Sequence, residues 1–149
     1  MQTNFDEADY IIPQQLVTAF KEGKKTIKVI SADTDVFILL CHYYYSMDIN
    51  VDVLLEDFSA DKKLISIGKS VAKSRSIIPS LLSAHALTGC DTVPMMFGIG
   101  KTKVINILNK SPLEYLGKAD AEEEDYMNEG KLFVAKCYGM TNASSTENR

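Results

Sequence analysis

The sequence has 149 residues, of which 46% are hydrophobic and 24% charged, and its formal net charge is −4. This length fits one ordinary domain, and the composition is too apolar for a chain that is disordered over most of its length. Three cysteines, Cys41, Cys90 and Cys137, stand far apart without a CxxC pair, which argues against a disulfide framework and a zinc site.

Targeting signals are not apparent in the sequence. The first residues are polar and acidic, without the basic segment and apolar core of a signal peptide. The longest apolar run, residues 36–41, is far shorter than the ~20 residues that cross a bilayer. We therefore expect an intracellular protein, with the nucleus among its compartments, and no membrane partner.

The charges are distributed unevenly along the chain. Residues 1–60 carry 4 basic and 10 acidic side chains, residues 61–110 carry 8 and 2, and residues 111–149 carry 4 and 8. Because a polyanion is bound by a local basic face, the middle segment is the candidate phosphate-facing part. The alternative is that its lysines and Arg75 are ordinary solubilising surface charges.

The first half of the chain has the pattern of an α/β protein. Apolar positions at residues 11–20 have helical spacing, and Gly23 is the expected stop. The β-branched segment Thr26–Ile30 predicts a buried strand, and residues 36–45 predict an apolar helix after a short acidic turn. The order helix, strand, acidic turn, helix is typical of α/β proteins, in which the strands are parallel. The turn then lies at the carboxyl end of a strand, where ligands of open α/β sheets bind.

The second half predicts an edge hairpin and further helices. Strands are expected at residues 51–55 and 63–67, a helix from Ile78 to Gly89, and a helix at residues 102–110. The C-terminal part is then predicted as a solvated acidic segment at residues 121–125, an apolar stretch at 131–138, and a polar, disordered tail from 141.

Acidic residues stand at three places along the sequence. They are Glu7 and Asp9, then Asp33 and Asp35, and finally Asp91. Carboxylates that meet at the end of a strand supply the oxygen ligands that hard divalent cations prefer. Two such ions ~3.5 to 4 Å apart can activate a water and stabilise the leaving oxygen in phosphodiester hydrolysis. An isolated Asp-x-Asp, however, is often only a helix N-cap with a turn residue.

A glycine turn with lysines follows Asp91. Gly98 and Gly100 flank Ile99, and Lys101 and Lys103 open the next predicted helix. Glycines permit close approach of a ligand to the backbone, and the free N–H groups at a helix start attract phosphate. A nucleotide-binding phosphate loop is the weaker interpretation, because that motif needs a glycine where Met95 stands.

Together these motifs resemble the flap-endonuclease branch of PIN-like nucleases. The resemblance covers about residues 5–110 and follows the family's order: an acidic helix start (Glu7, Asp9), an Asp-x-Asp after the next strand, and Gly89-Cys90-Asp91 before Gly98-Ile99-Gly100. The sequence is also similar to uncharacterised PIN-like proteins linked to mobile elements. It lacks upstream strands that carry the family's first metal-binding aspartates, so we expect a fragment or a partly degenerate copy.

The resemblance implies a PIN-like parallel sheet flanked by helices, followed by a helix-turn-helix element. The implied boundaries are a partial nuclease core at residues 1–92, the phosphate-binding helix-turn-helix at 93–117, and a C-terminal linker and tail at 118–149. It implies two Mg²⁺ or Mn²⁺ ions bound by Glu7, Asp9, Asp33, Asp35 and Asp91, with Asp33, Asp35 and Asp91 as catalytic residues. It further implies nucleic acid, DNA in preference to RNA, bound at Gly98, Gly100, Lys101 and Lys103, with K⁺ at the glycine turn.

Other interpretations remain open from the sequence. A non-catalytic nucleic-acid-binding or interaction module would keep the basic segment without performing chemistry. His42 and His85 are candidate general bases, but histidines on apolar helices are commonly core or boundary residues. The tyrosines at residues 43–45 can stack on bases or pack internally. Cys90 is expected to be a small buried residue, because the sequence places no base beside it.

Overall fold

The structure is a computed structural model that describes residues 8–58, 61–89 and 98–140. These residues form six helices and a three-stranded sheet, in the order α1 (Ala8–Lys21), β1 (Thr26–Ile30), α2 (Thr34–Ser46), β2 (Asp52–Glu56), β3 (Leu64–Ser66), α3 (Ile67–Lys73), α4 (Ile78–Thr88), α5 (Lys101–Lys110) and α6 (Glu123–Cys137). The chain divides into two compact units, the first ending at Ile78 and the second beginning at Pro79. The predicted α/β class is confirmed.

The sheet of the first unit is mixed. β1 and β2 pair in parallel, with Thr26 opposite Asp52 and Ile30 opposite Glu56. β2 and β3 then pair antiparallel, which matches the predicted edge hairpin. Because β1, α2 and β2 form a parallel crossover unit, the carboxyl ends of β1 and β2 lie at the same edge of the sheet.

The core of the first unit is centred on α2. This helix packs against α1 and α3, and α3 also packs on β2. Leu40 is fully buried on α2, Leu16 on α1 and Ile67 on α3. Val53 and Leu55 alternate with more exposed residues on β2, so one face of the strand meets the core. Each large apolar side chain buried in this way contributes about 1.5 to 3 kcal/mol.

Helix α3 was not predicted from the sequence. The apolar residues 63–67 predict a strand that continues through Ile67, but the strand ends at Ser66 and a helix begins at once. The Ser66 hydroxyl accepts a hydrogen bond from the backbone N–H of Lys69 at 3.3 Å. This N-cap satisfies one of the free donors of the helix start, and it outweighs the strand preference of the flanking apolar residues.

The second unit contains α4, α5 and α6. Its buried residues include Ala84 on α4, Val104 and Leu108 on α5, and Phe133 on α6. The predicted acidic segment is exposed at residues 122–125, but it is not separate from the last apolar stretch, because one helix of 15 residues begins at Glu123 and contains both. The acidic side chains occupy its first turn, where negative charge interacts favourably with the helix dipole.

The loop that follows α5 is fixed by side chains of α4. The hydroxyl of Ser80, which is 2% exposed, accepts from Leu113 N–H at 2.9 Å and donates to Leu113 C=O at 3.2 Å. Ser83 donates to the carbonyl of Leu116 at 3.2 Å. Gly117 has φ +85°, and a Cβ there would lie 2.5 Å from the Ser83 hydroxyl, so a larger residue is excluded sterically and conformationally.

Candidate functional site

Asp33 and Asp35 lie directly after β1, as the sequence predicts. Asp33 has extended backbone angles and is the N-cap of α2, and its Oδ1 accepts a hydrogen bond from Asp35 N–H at 2.9 Å. Its own N–H donates to the Ser31 hydroxyl at 3.1 Å. The turn therefore brings the two aspartates together at the start of a helix, with Asp33 exposed and Asp35 half-buried.

A third aspartate stands at the end of the neighbouring parallel strand. Asp57 directly follows β2, and the carbonyl of Glu56 accepts from Ser31 N–H at 3.0 Å, so the two strand ends are joined by a hydrogen bond. Asp57 N–H in turn donates to Lys63 C=O at 3.1 Å. Asp57 does not stand out in the sequence, because only the pairing of β1 with β2 makes it a neighbour of the Asp33 turn.

Glu56 is an acidic residue of the same region with a structural role. Its carboxylate forms an ion pair with the Lys28 ammonium on β1. Lys28 lies opposite Leu54 in the register, so Glu56 is its diagonal neighbour, two residues further along β2. The pair ties the two parallel strands together and gives this carboxylate a cationic partner.

The positions of the other predicted metal ligands relative to this edge of the sheet are not described. Glu7 and Asp91 lie outside the described residues, as does the side chain of Asp9. Within residues 8–58, 61–89 and 98–140 there is no group of three or more His, Cys, Asp or Glu side chains that could hold a metal ion. The five-carboxylate site therefore stays a prediction, and Asp33 and Asp35 are the two members whose positions are known.

The predicted glycine turn belongs to the second unit. Gly98 has φ +73°, which favours glycine, whereas Gly100 has an ordinary φ of −88° and is the N-cap of α5. A Cβ at Gly100 would meet no atom within 4 Å among the described residues. Local packing therefore does not require a glycine at this position. Because Gly100 has no side chain, a ligand can approach the backbone N–H groups at the start of α5.

The two predicted lysines are at the start of α5. Lys101 and Lys103 are exposed, and α5 carries three lysines and no acidic residue. The carbonyl of Gly100 accepts from the N–H groups of Lys103 and Val104, which begins the helix without a side-chain cap. A helix start with two exposed lysines and no acidic side chain has the electrostatics of an anion-binding element.

The histidine and tyrosines of α2 make internal contacts. His42 is half-buried with its ring edge-on to Tyr43 at 5.5 Å, and burial lowers the pKa of its imidazole. The hydroxyl of Tyr44 lies over Gly68, where a Cβ would approach it to 2.7 Å. Tyr45 is covered by the guanidinium of Arg75 at 5.4 Å from the ring centre. These contacts favour the packing interpretation over base stacking.

Two cysteines are expected to be unreactive in the folded protein. Burial raises the pKa of Cys41 to about 12 and also raises that of Cys137, although Lys103 partly opposes the rise at Cys137. Both side chains are almost fully buried, so at pH 8 they are neutral thiols that a reagent cannot reach. Iodoacetamide labelling followed by peptide mass spectrometry should modify them only in denaturant. Rapid labelling of either residue in buffer would contradict the buried placement.

Comparison of the chain with protein-family models, curated proteins and solved structures finds no match. Among the described residues, no helix combines the length and apolar character needed to cross a membrane.

Proposed function

We propose that this protein hydrolyses phosphodiester bonds of structured nucleic acid with divalent metal ions, as a PIN-like domain of flap-endonuclease type. The observation that carries the proposal is the acidic edge of the first unit. Asp33 and Asp35 follow β1, Asp57 follows the adjacent parallel strand, and a backbone hydrogen bond joins the two strand ends. Acids at the carboxyl ends of neighbouring parallel strands occupy the usual position of a ligand site in an α/β sheet.

The chemistry of the Asp33 turn fits a hard cation. Only Oδ1 of Asp33 accepts the capping hydrogen bond from Asp35 N–H, and a carboxylate has a second oxygen with lone pairs of its own. Capping and metal binding are thus compatible at one residue. Bound Mg²⁺ or Mn²⁺ would supply an activated water and stabilise the leaving oxygen. Asp33 and Asp35 would hold the ion, with Glu7, Asp9 and Asp91 as the further ligands implied by the resemblance.

The second unit would bind the sugar-phosphate backbone of the nucleic acid. Gly98 and Gly100 leave the start of α5 open, and Lys101 and Lys103 add two exposed positive charges. Contacts of this kind position phosphates without reading sequence, so binding should weaken steeply as salt rises. DNA is the expected substrate in preference to RNA, and the resemblance implies a K⁺ ion at the glycine turn.

The test is cleavage of flap, hairpin and single-stranded DNA with and without Mg²⁺. Asp35→Asn should lower the cleavage rate at least ~100-fold, because a direct metal ligand matters more than the outer-shell groups whose loss costs 10- to 100-fold. Asp52→Asn is the matched control, since Asp52 is an exposed aspartate at the opposite end of β2. Equal loss in both variants, or no Mg²⁺-dependent cleavage by the unaltered protein, would refute the proposal.

A non-catalytic nucleic-acid-binding module is the second candidate. It is favoured by the use of Asp33 Oδ1 as a helix cap, which gives the Asp-x-Asp motif a structural role of its own. In that case the unaltered protein would bind the same DNA substrates in a salt-dependent manner without cleaving them. Asp35→Asn would then leave binding unchanged or strengthen it by removing a negative charge.

A further inference from the structure

A second group of cations lies in the first unit, on and directly after α3. Lys69 and Lys73 are four residues apart on this helix, so their side chains neighbour each other on one face. Arg75 follows the helix, and all three side chains are exposed. The surrounding segment, residues 62–76, contains five basic residues and no acidic one. We call Lys69, Lys73 and Arg75 the α3 basic surface.

The α3 basic surface has no acidic partner among the residues that the structure describes. None of its three cations forms an ion pair with a carboxylate of residues 8–58, 61–89 or 98–140, whereas Lys28 on β1 of the same unit is paired with Glu56. Like charges at positions four apart on a helix are mildly destabilising. The first unit therefore keeps a concentration of positive charge that the described carboxylates do not pair with.

Arg75 is held in place before any ligand binds. Its guanidinium lies over the ring of Tyr45 at 5.4 Å from the ring centre, within the range of a cation–π contact. A planar guanidinium fixed on an aromatic face loses less freedom on binding, and its N–H groups match the geometry of phosphate oxygens. This distinguishes Arg75 from a freely moving surface charge.

We infer that the α3 basic surface binds the sugar-phosphate backbone of the nucleic acid, at a distance from the acidic edge. The identity of the ligand rests on the proposed function. The contact is to phosphates and not to bases, because Arg75 covers the ring of Tyr45 and Tyr44 is packed over Gly68. Binding there should consequently be independent of base sequence.

The position of α2 sets the length of nucleic acid that this contact requires. The helix begins at the Asp33 cap and ends one residue after Tyr45, on which Arg75 is stacked. At ~1.5 Å per residue, Asp33 and Tyr45 are separated by about 18 Å along the helix axis. Each strand of duplex DNA carries one phosphate per ~3.4 Å of helix axis, so a duplex that lies along α2 must extend about five base pairs from the acidic edge to reach Arg75.

The test is equilibrium binding of fluorescein-labelled oligonucleotides to the full chain in EDTA, so that cleavage is not being measured. The triple variant Lys69→Ala/Lys73→Ala/Arg75→Ala should bind a single-stranded 20-mer ~10- to 100-fold more weakly at low salt, with a salt slope smaller by about 2. Lys24→Ala/Lys25→Ala is the control, because it removes two exposed cations from the turn before β1. Lys69→Arg/Lys73→Arg should retain binding, and circular dichroism checks the fold of each variant.

Two further arms identify the ligand. A duplex 20-mer separates a single-strand contact from a duplex contact, and weaker binding of either form by the triple variant supports the inference. An unchanged salt slope for the 20-mer in a folded triple variant overturns the inference, as does an equal loss in the Lys24/Lys25 control. Competition by poly-glutamate as strong as by DNA also overturns it. Absence of cleavage would refute only the hydrolytic function.

Discussion

Asp33→Asn is expected to abolish Mg²⁺-dependent cleavage while leaving the fold intact. Asparagine caps a helix about as well as aspartate, so its side-chain oxygen can still accept from Asp35 N–H. The substitution removes the negative charge that a divalent cation requires and little else. We expect the cleavage rate to fall at least ~100-fold. The free energy of unfolding should change by less than about 1 kcal/mol, the upper value for a charge near a helix N-terminus.

Asp33→Ala separates the two roles of this residue. Alanine removes the charge and the cap together, and the loss of an N-cap costs about 0.5 to 2 kcal/mol. Both variants should therefore be inactive, but only the alanine variant should unfold at clearly lower urea. If Asp33→Asn retains full cleavage while Asp33→Ala is destabilised, Asp33 is only a helix cap and does not belong to the metal site.

The first βαβ unit could be predicted from sequence because its signals are local. The β-branched run Thr26–Ile30 forms a strand with the predicted bounds, although its residues are half-buried or exposed and not buried as predicted. The acidic turn caps α2 as expected. Pro79 lies in the first turn of α4, where a missing N–H does no harm. Each of these assignments depends on residues within one turn or one strand of each other.

Two features could not be predicted from local sequence patterns. One depends on competition between a helix cap and a strand pattern, and the other depends on which strands pair in the sheet. The strand at Leu64 stops at Ser66 because a capping hydroxyl there begins α3, although the apolar pattern continues. Asp57 is recognised as a neighbour of the Asp33 turn only when β2 is known to lie parallel to β1. No pattern within the sequence around Asp57 distinguishes it from an ordinary acid after a strand.

Part of the candidate site depends on residues that are far apart in sequence. Asp33 and Asp35 are neighbours whatever the fold, and their placement was predictable from the strand before them. Whether Glu7, Asp9 and Asp91 lie at that edge depends on the tertiary structure, which the order of the motifs alone does not determine. The resemblance supplies that expectation, and the variants of Asp33 and Asp35 test the part that the structure positions.

Glu129→Gln is expected to destabilise the second unit by about 2 kcal/mol. The half-buried carboxylate of Glu129 accepts three backbone hydrogen bonds from the loop after α5: from Glu114, from Tyr115 at 2.9 Å and from Leu116 at 2.7 Å. Hydrogen bonds to a charged group contribute about 1.5 to 3 kcal/mol each, and less where water competes. A glutamine keeps one carbonyl oxygen, but its NH₂ group would face a backbone donor.

The expected loss should appear both globally and at the loop itself. Urea unfolding followed by circular dichroism measures the free energy, and hydrogen exchange measures the protection of the amides of Glu114, Tyr115 and Leu116. Glu124→Gln is the control, because Glu124 is exposed in the first turn of the same helix and should cost no more than about 1 kcal/mol. Unchanged protection of the three amides in Glu129→Gln would show that the carboxylate does not hold the loop. The Ser80 and Ser83 contacts from α4 would then be sufficient to fix it.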